Sequence, residues 1–101
     1  MKNILTIISC YIKSETHANI ILHNINILEK YSTKIIIVNK SGNFKDYILS
    51  KKQLDWYEIP NDKFLDIGSH YYILKKIIYN EYDYILLTND SYYLNRDIDR
   101  Q

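Results

Sequence analysis

Residues 34–39 read Lys34-Ile35-Ile36-Ile37-Val38-Asn39, the clearest strand signal in the chain. Four consecutive β-branched residues are typical of a strand that is buried on both faces, as the strands of parallel sheets are. The run ends at Lys40-Ser41-Gly42-Asn43, a cluster of turn-forming residues. This stretch therefore predicts a central strand of a parallel sheet, and the segments on either side of it indicate how the sheet is covered.

The segments before this strand predict a first strand and a helix. The apolar run over residues 4–11 predicts a strand, and the polar residues 14–16 predict the start of a helix that ends near Tyr31. Apolar residues repeat along that helix at i, i+4 and i+7, which gives it one buried face. These residues are Ile21, Ile25 and Leu28.

The segments after it continue the alternation of strands and helices. The pattern predicts a short helix over 44–52, a weak strand over 56–59, a helix over 67–80 and a strand over 84–88, with a loop and a strand stub over 92–101. Such alternation indicates a Rossmann-like three-layer α/β/α fold with a mainly parallel sheet of about four strands. Residues 1–101 are expected to form a single domain.

The composition excludes several classes of function. Lys and Arg number 13 against 12 Asp and Glu, so a net charge of +1 gives no reason to expect nucleic acid as a partner. No apolar run is long enough to span a membrane, and the one after Lys2 is too short for a signal sequence. The single cysteine, Cys10, excludes an internal disulfide. We expect a soluble, cytoplasmic protein.

Candidate binding residues lie just after the strands, because parallel strands end at one edge of the sheet and ligands bind there. The chain has only Gly42 and Gly68, so it has neither a dinucleotide-binding glycine motif nor a phosphate-binding P-loop. The best signal is Asn89-Asp90-Ser91, which follows an apolar strand and offers oxygen ligands for a hard cation that would neutralise a diphosphate. The alternative is a simple turn, since these residue types favour turns.

Two short motifs carry a resemblance to a known family. Asp62 to Ser69 leads into a helix, and Tyr82-Asp83-Tyr84 begins a strand that runs into Asn89-Asp90-Ser91. This arrangement resembles the nucleotide-sugar-binding half of GT-A glycosyltransferases, in the branch related to rhamnan-synthesis proteins and to similar transferases of A/T-rich giant viruses. Asp66 and Gly68 match the first motif of that branch.

The resemblance implies a site for a nucleoside diphosphate sugar. Asp66 would contact the nucleoside or sugar, and Asp90 would face the diphosphate, directly or through Mn²⁺ or Mg²⁺ as the metal ligand. The residues after the first strand would line the base pocket, with Asn39 beside them. The full set of implied binding residues is Ser9, Cys10, Tyr11, Asn39, Asp66, Asn89, Asp90 and Ser91.

The sequence departs from the family pattern in ways that bear on activity. Asp62 and Phe64 stand where the family has Asn and Gly, and Asn89-Asp90-Ser91 keeps one carboxylate where metal-dependent members have two. The family's acceptor site and catalytic base lie in a later half, so we expect a short or truncated member and identify no catalytic residue. If active, the chain would be a glycosyltransferase.

A second hypothesis has no catalysis in it. A half-sheet that ends near Tyr93 would expose a strand edge, and such edges favour pairing with a second copy or with a partner. The remaining candidates have ordinary structural interpretations. His17, His23 and His70 are typical partly exposed histidines and Cys10 a small buried residue, whereas Tyr92 and Tyr93 are kept as candidates for stacking on a base or sugar.

Overall fold

The computed structural model describes residues 3–59, 74 and 81–90. It contains four strands and two helices within those ranges. In chain order they are β1 (Ile4–Cys10), α1 (Glu15–Leu28), β2 (Lys34–Asn39), α2 (Lys45–Leu49), β3 (Asp55–Glu58) and β4 (Tyr84–Asn89).

The strands form one parallel sheet in the order β3-β2-β1-β4. Its centre is the pair β1 and β2, where Leu5 lies opposite Lys34 and Cys10 opposite Asn39. On the other side of β1, Ser9 lies opposite Asn89 of β4. The predicted α/β class and its parallel sheet of four strands are confirmed.

The two faces of the sheet bury different sets of side chains. Side chains of β1 and β2 such as Ile8 and Ile37 pack with α1 and with Ile48 of α2 in one core cluster. On the opposite face, Leu5 and Ile36 lie in a second cluster, against which Leu74 packs. Since Leu74 is itself helical, apolar side chains of helical residues pack on both faces, as the three-layer prediction requires.

Helix α1 forms where its polar and apolar residues predict it. Ser14 caps the helix, and its Oγ accepts a hydrogen bond of 3.1 Å from the backbone N–H of His17. Ile21, Ile25 and Leu28 are buried on one face. The helix ends at Leu28, earlier than the predicted Tyr31, because Glu29 to Tyr31 form a turn with hydrogen bonds to the last helical carbonyls.

Strand β4 departs from the prediction of fully buried strands. None of its six residues is buried, and Tyr84, Leu86 and Leu87 are 53%, 41% and 46% exposed. Among the described strands β4 pairs only with β1, so it forms an edge of the described sheet. The apolar sequence alone does not distinguish a central strand from an edge strand.

Several predictions concern residues outside the described ranges. These are the helix over 67–80 apart from Leu74, the binding residues Asp66 and Ser91, the histidine His70 and the pair Tyr92 and Tyr93. Among the described residues, no helix is long and apolar enough to cross a membrane.

Candidate functional site

The strand order creates a crevice at one edge of the sheet. The chain runs from β1 outward through β2 to β3, and β4 then lies on the opposite side of β1. The strand order therefore reverses between β1 and β4, and open α/β sheets bind ligands beyond the carboxyl ends of the strands at such a switch point. Tyr11 follows β1 and Asp90 follows β4, so both candidate residues border this crevice.

Asp90 is held in the crevice by two N–H donors. Its Oδ2 accepts a hydrogen bond of 2.9 Å from the backbone N–H of Tyr11 and lies 2.9 Å from Nε2 of His17. The side chains of His17 and Asp90 are 21% and 17% exposed, so both are largely withdrawn from solvent. Asp90 thereby joins the end of β4 to the β1–α1 segment.

The imidazole of His17 is fixed by the turn that precedes it. The ring Nδ1 accepts a hydrogen bond of 3.2 Å from the backbone N–H of Lys13. The backbone N–H of His17 donates to Ser14 Oγ. This reciprocal pattern is a variant of the capping box, with His17 in the third helical position. Because Nδ1 accepts, these contacts assign the ring proton to Nε2, which therefore donates to Asp90.

Sequence reasoning missed His17 as a site residue. It treated the histidines by their mutual spacing, which does not place His17 and His23 on one helical face. The signal that was available is position: His17 lies in the first turn of α1, directly after β1, and so at the carboxyl edge of the sheet.

Asn39 organises the neighbouring part of the same edge. It is fully buried, and its Nδ2 donates to the backbone O of Asn43 and to Oε1 of Glu58, each at 3.0 Å. Its Oδ1 accepts from the backbone N–H and the hydroxyl of Ser41, at 3.3 and 3.1 Å. With both amide hydrogens donated and its oxygen shared, Asn39 acts here as a structural link between the ends of β2 and β3.

The residues predicted to line a base pocket differ in their access to a ligand. Ser9 and Cys10 are buried, and the thiol of Cys10 points to Asn39 Oδ1 at 3.7 Å. Tyr11 is 38% exposed and Asn89 is partly buried. Contact of these residues with a ligand stays a prediction, and Tyr11, the residue after β1, has the exposed surface to make it.

The described residues offer few side-chain ligands for a divalent cation. They contain no group of three or more His, Cys, Asp or Glu side chains arranged to hold a metal ion. Asp90 offers a carboxylate whose Oδ2 already accepts from Tyr11 and His17. This donor set fits Mg²⁺ or Mn²⁺ that arrives with a diphosphate, because such ions are held by one or two carboxylates together with phosphate oxygens and water.

A depression of about 650 Å³ lies at the opposite, amino edge of the sheet. Its charged lining residues form two ion pairs, Lys34 with Asp55 and Lys52 with Glu29, each at 2.7 Å. Because these charges neutralise one another, the depression offers a ligand little net charge. The crevice beyond β1 and β4, where a carboxylate is held by donors from another segment, is the stronger candidate site.

The chain was compared with protein-family models, with curated proteins and with solved structures, and none of the three comparisons finds a match.

Proposed function

We propose that this chain binds a nucleoside diphosphate sugar in the crevice beyond the carboxyl ends of β1 and β4. The observation that carries the proposal is the Asp90 carboxylate, which is held at the strand-order switch point by the backbone of Tyr11 and the imidazole of His17. Side chains fixed by contacts from a second segment are preorganised for binding, whereas a simple turn requires no such support.

The chemistry of the crevice favours a ligand with both a cation and hydroxyl groups. A carboxylate repels a bare diphosphate, so Asp90 would engage it through Mg²⁺ or Mn²⁺ or would accept hydrogen bonds from sugar hydroxyls. Tyr11, whose backbone N–H contacts the carboxylate, is 38% exposed and so offers an aromatic side chain to a ligand. A bound cation would supply charge neutralisation of the diphosphate.

More specifically, we propose that the chain is the part of a GT-A-like glycosyltransferase that binds the sugar donor. The resemblance of residues 82–84 and 89–91 to that family supports it. Sugar transfer also requires a base for the acceptor hydroxyl, and the described side chains that contact Asp90 include no second carboxylate. Binding is therefore the part of this function that the crevice supports best. We also propose the cytoplasm as the compartment, because a chain with a single cysteine forms no internal disulfide.

The test is calorimetric titration of the folded protein with UDP, GDP and dTDP, each with and without Mn²⁺. We expect cation-dependent binding of at least one nucleotide and a loss of about tenfold or more in Asp90→Asn, because removal of a charged partner costs roughly 1.5–3 kcal/mol. Asp46→Asn is the matched control, since it removes the same charge from an exposed position on α2. Absence of binding, or equal binding by Asp90→Asn, would contradict the proposal.

A second candidate function is assembly through β4 without catalysis. Leu86 and Leu87 are 41% and 46% exposed, and large exposed apolar side chains on a strand are a basis for association. Sedimentation at increasing concentration distinguishes the two functions. Assembly that Leu87→Lys abolishes, in a protein that gives no heat with any nucleotide, would favour this candidate over nucleotide binding.

A further inference from the structure

The two donors that hold Asp90 converge on a single oxygen. Both the backbone N–H of Tyr11 and Nε2 of His17 lie 2.9 Å from Oδ2. Oδ1 is thus the oxygen that neither donor occupies. Carboxylates that bind metals or ligands through one oxygen are commonly held by hydrogen bonds to the other, which fixes their orientation.

The contacts of His17 exclude two more direct roles for its ring in this conformation. To bind a cation or accept a proton, Nε2 would need a lone pair, and the ring proton of a neutral imidazole would then move to Nδ1. Nδ1 lies 3.2 Å from the backbone nitrogen of Lys13, so a proton on Nδ1 would point at the N–H of Lys13 and neither donor would have an acceptor. The imidazole is therefore arranged to donate to Asp90 and not to bind the ligand itself.

We propose that His17 is a positioning residue of the nucleotide site, which holds Asp90 through Oδ2 so that Oδ1 is presented to the cation or sugar hydroxyl of the ligand. This inference rests on the proposed function for its ligand, but the positioning itself belongs to the ligand-free protein. The ring is suited to the role because its Nδ1 accepts a hydrogen bond from the backbone N–H of Lys13, in the turn before α1.

Three variants separate positioning from helix capping. His17→Ala removes both the acceptor of the Lys13 backbone N–H and the donor to Asp90, but keeps the backbone N–H that donates to Ser14. His17→Gln keeps an amide N–H that can donate to Asp90 and an oxygen that can accept from the turn, as in an ordinary capping box. Ser14→Ala removes the N-cap hydroxyl but leaves the imidazole, so it is the control for lost helix stability.

The first measurement is the affinity for UDP, GDP and dTDP in the presence of Mg²⁺. We expect His17→Ala to weaken binding about tenfold or more, in line with the cost of losing a partner of a metal-binding carboxylate. His17→Gln is expected to recover most of that loss, and Ser14→Ala to bind like the unaltered chain. Unchanged or tighter binding by His17→Ala, or a loss in Ser14→Ala equal to that in His17→Ala, would overturn the inference.

The second measurement needs no ligand. The amide proton of Tyr11 reports the position of the Asp90 carboxylate in an NMR spectrum, because it donates to Oδ2. We expect its resonance to move in His17→Ala and to return toward its original position in His17→Gln. If the unaltered chain binds no nucleotide, the proposed function fails, and this comparison still decides the role of His17. A Tyr11 resonance that does not move in folded His17→Ala would overturn the positioning role.

Discussion

At the scale of single residues, Asn39 shows how a candidate ligand contact can be a structural one. A short polar residue at the end of a buried strand can either contact a ligand or satisfy backbone and side-chain groups at the strand terminus. Here its amide donates to Asn43 and Glu58 and accepts from Ser41, all at the carboxyl edge of β2 and β3. Oε1 of Glu58 also accepts a hydrogen bond of 2.7 Å from the indole N–H of Trp56, so the network extends along β3.

This network predicts a stability cost for loss of the Asn39 side chain. Asn39→Ala should lower the free energy of unfolding by about 1–3 kcal/mol, because the buried groups it serves lose their partner. Urea denaturation measures the difference. Asn43→Ala is the matched control, since the Asn43 side chain is exposed and only its backbone takes part, with its oxygen accepting from Asn39 and its N–H donating to Ser41 Oγ. Equal stability of the two variants would show that the buried amide contributes nothing to folding.

At the scale of elements, an ion pair connects the central strand β2 to the outer strand β3 at the amino edge of the sheet. Lys34 begins β2 and its Nζ lies 2.7 Å from Oδ2 of Asp55, which begins β3. The hydrogen bond that Lys34 donates to this carboxylate raises the pKa of Lys34 above its ordinary 10.5. The two side chains are 44% and 47% exposed, so solvent screens the pair and its contribution to stability is small.

The raised pKa of Lys34 fixes the pH dependence of this contribution. A lysine whose pKa is higher in the folded state stabilises the fold below its unfolded pKa of 10.5, and this stabilisation disappears as pH rises through the folded pKa. Asp55→Asn should therefore be less stable by under about 1 kcal/mol at neutral pH. Urea denaturation of both proteins should show this difference in stability at neutral pH and its disappearance at a pH above the folded pKa of Lys34. A gap of the same size at both pH values would contradict the electrostatic explanation.

At the scale of the whole molecule, burial is distributed unevenly over the sheet. β1 and β2 each have a strand on both sides and are almost entirely buried, whereas no residue of β3 or β4 is. Local opening requires least free energy where few apolar groups are buried. The candidate site therefore lies where the most protected strand, β1, meets the more exposed β4.

Hydrogen exchange tests this distribution. Amides of β1 and β2 should exchange most slowly, near the rate set by global unfolding, and those of β3 and β4 should exchange faster. Mass spectrometry of peptides that cover each strand, or NMR of single amides, provides the measurement. Protection of β4 equal to that of β1 would mean that β4 is covered more completely than its exposed side chains indicate.

The local patterns of the chain were sufficient to predict the strands and helices among its described residues. Alternating β-branched runs and the i, i+4, i+7 spacing of α1 depend on residues close together in sequence, so the strands, the helices and the parallel class follow from them. They also indicated the edge of the sheet where Tyr11 and Asp90 lie, because parallel strands end together.

The strand order β3-β2-β1-β4, the exposure of β4 and the contact between Asp90 and the β1–α1 segment were decided by tertiary structure. Tyr11 and Asp90 are 79 residues apart in the chain, and no local pattern encodes which distant strands pack side by side. For the same reason His17, which looks in sequence like any polar residue of a first helical turn, is recognisable as a site residue only once the sheet brings Asp90 to it.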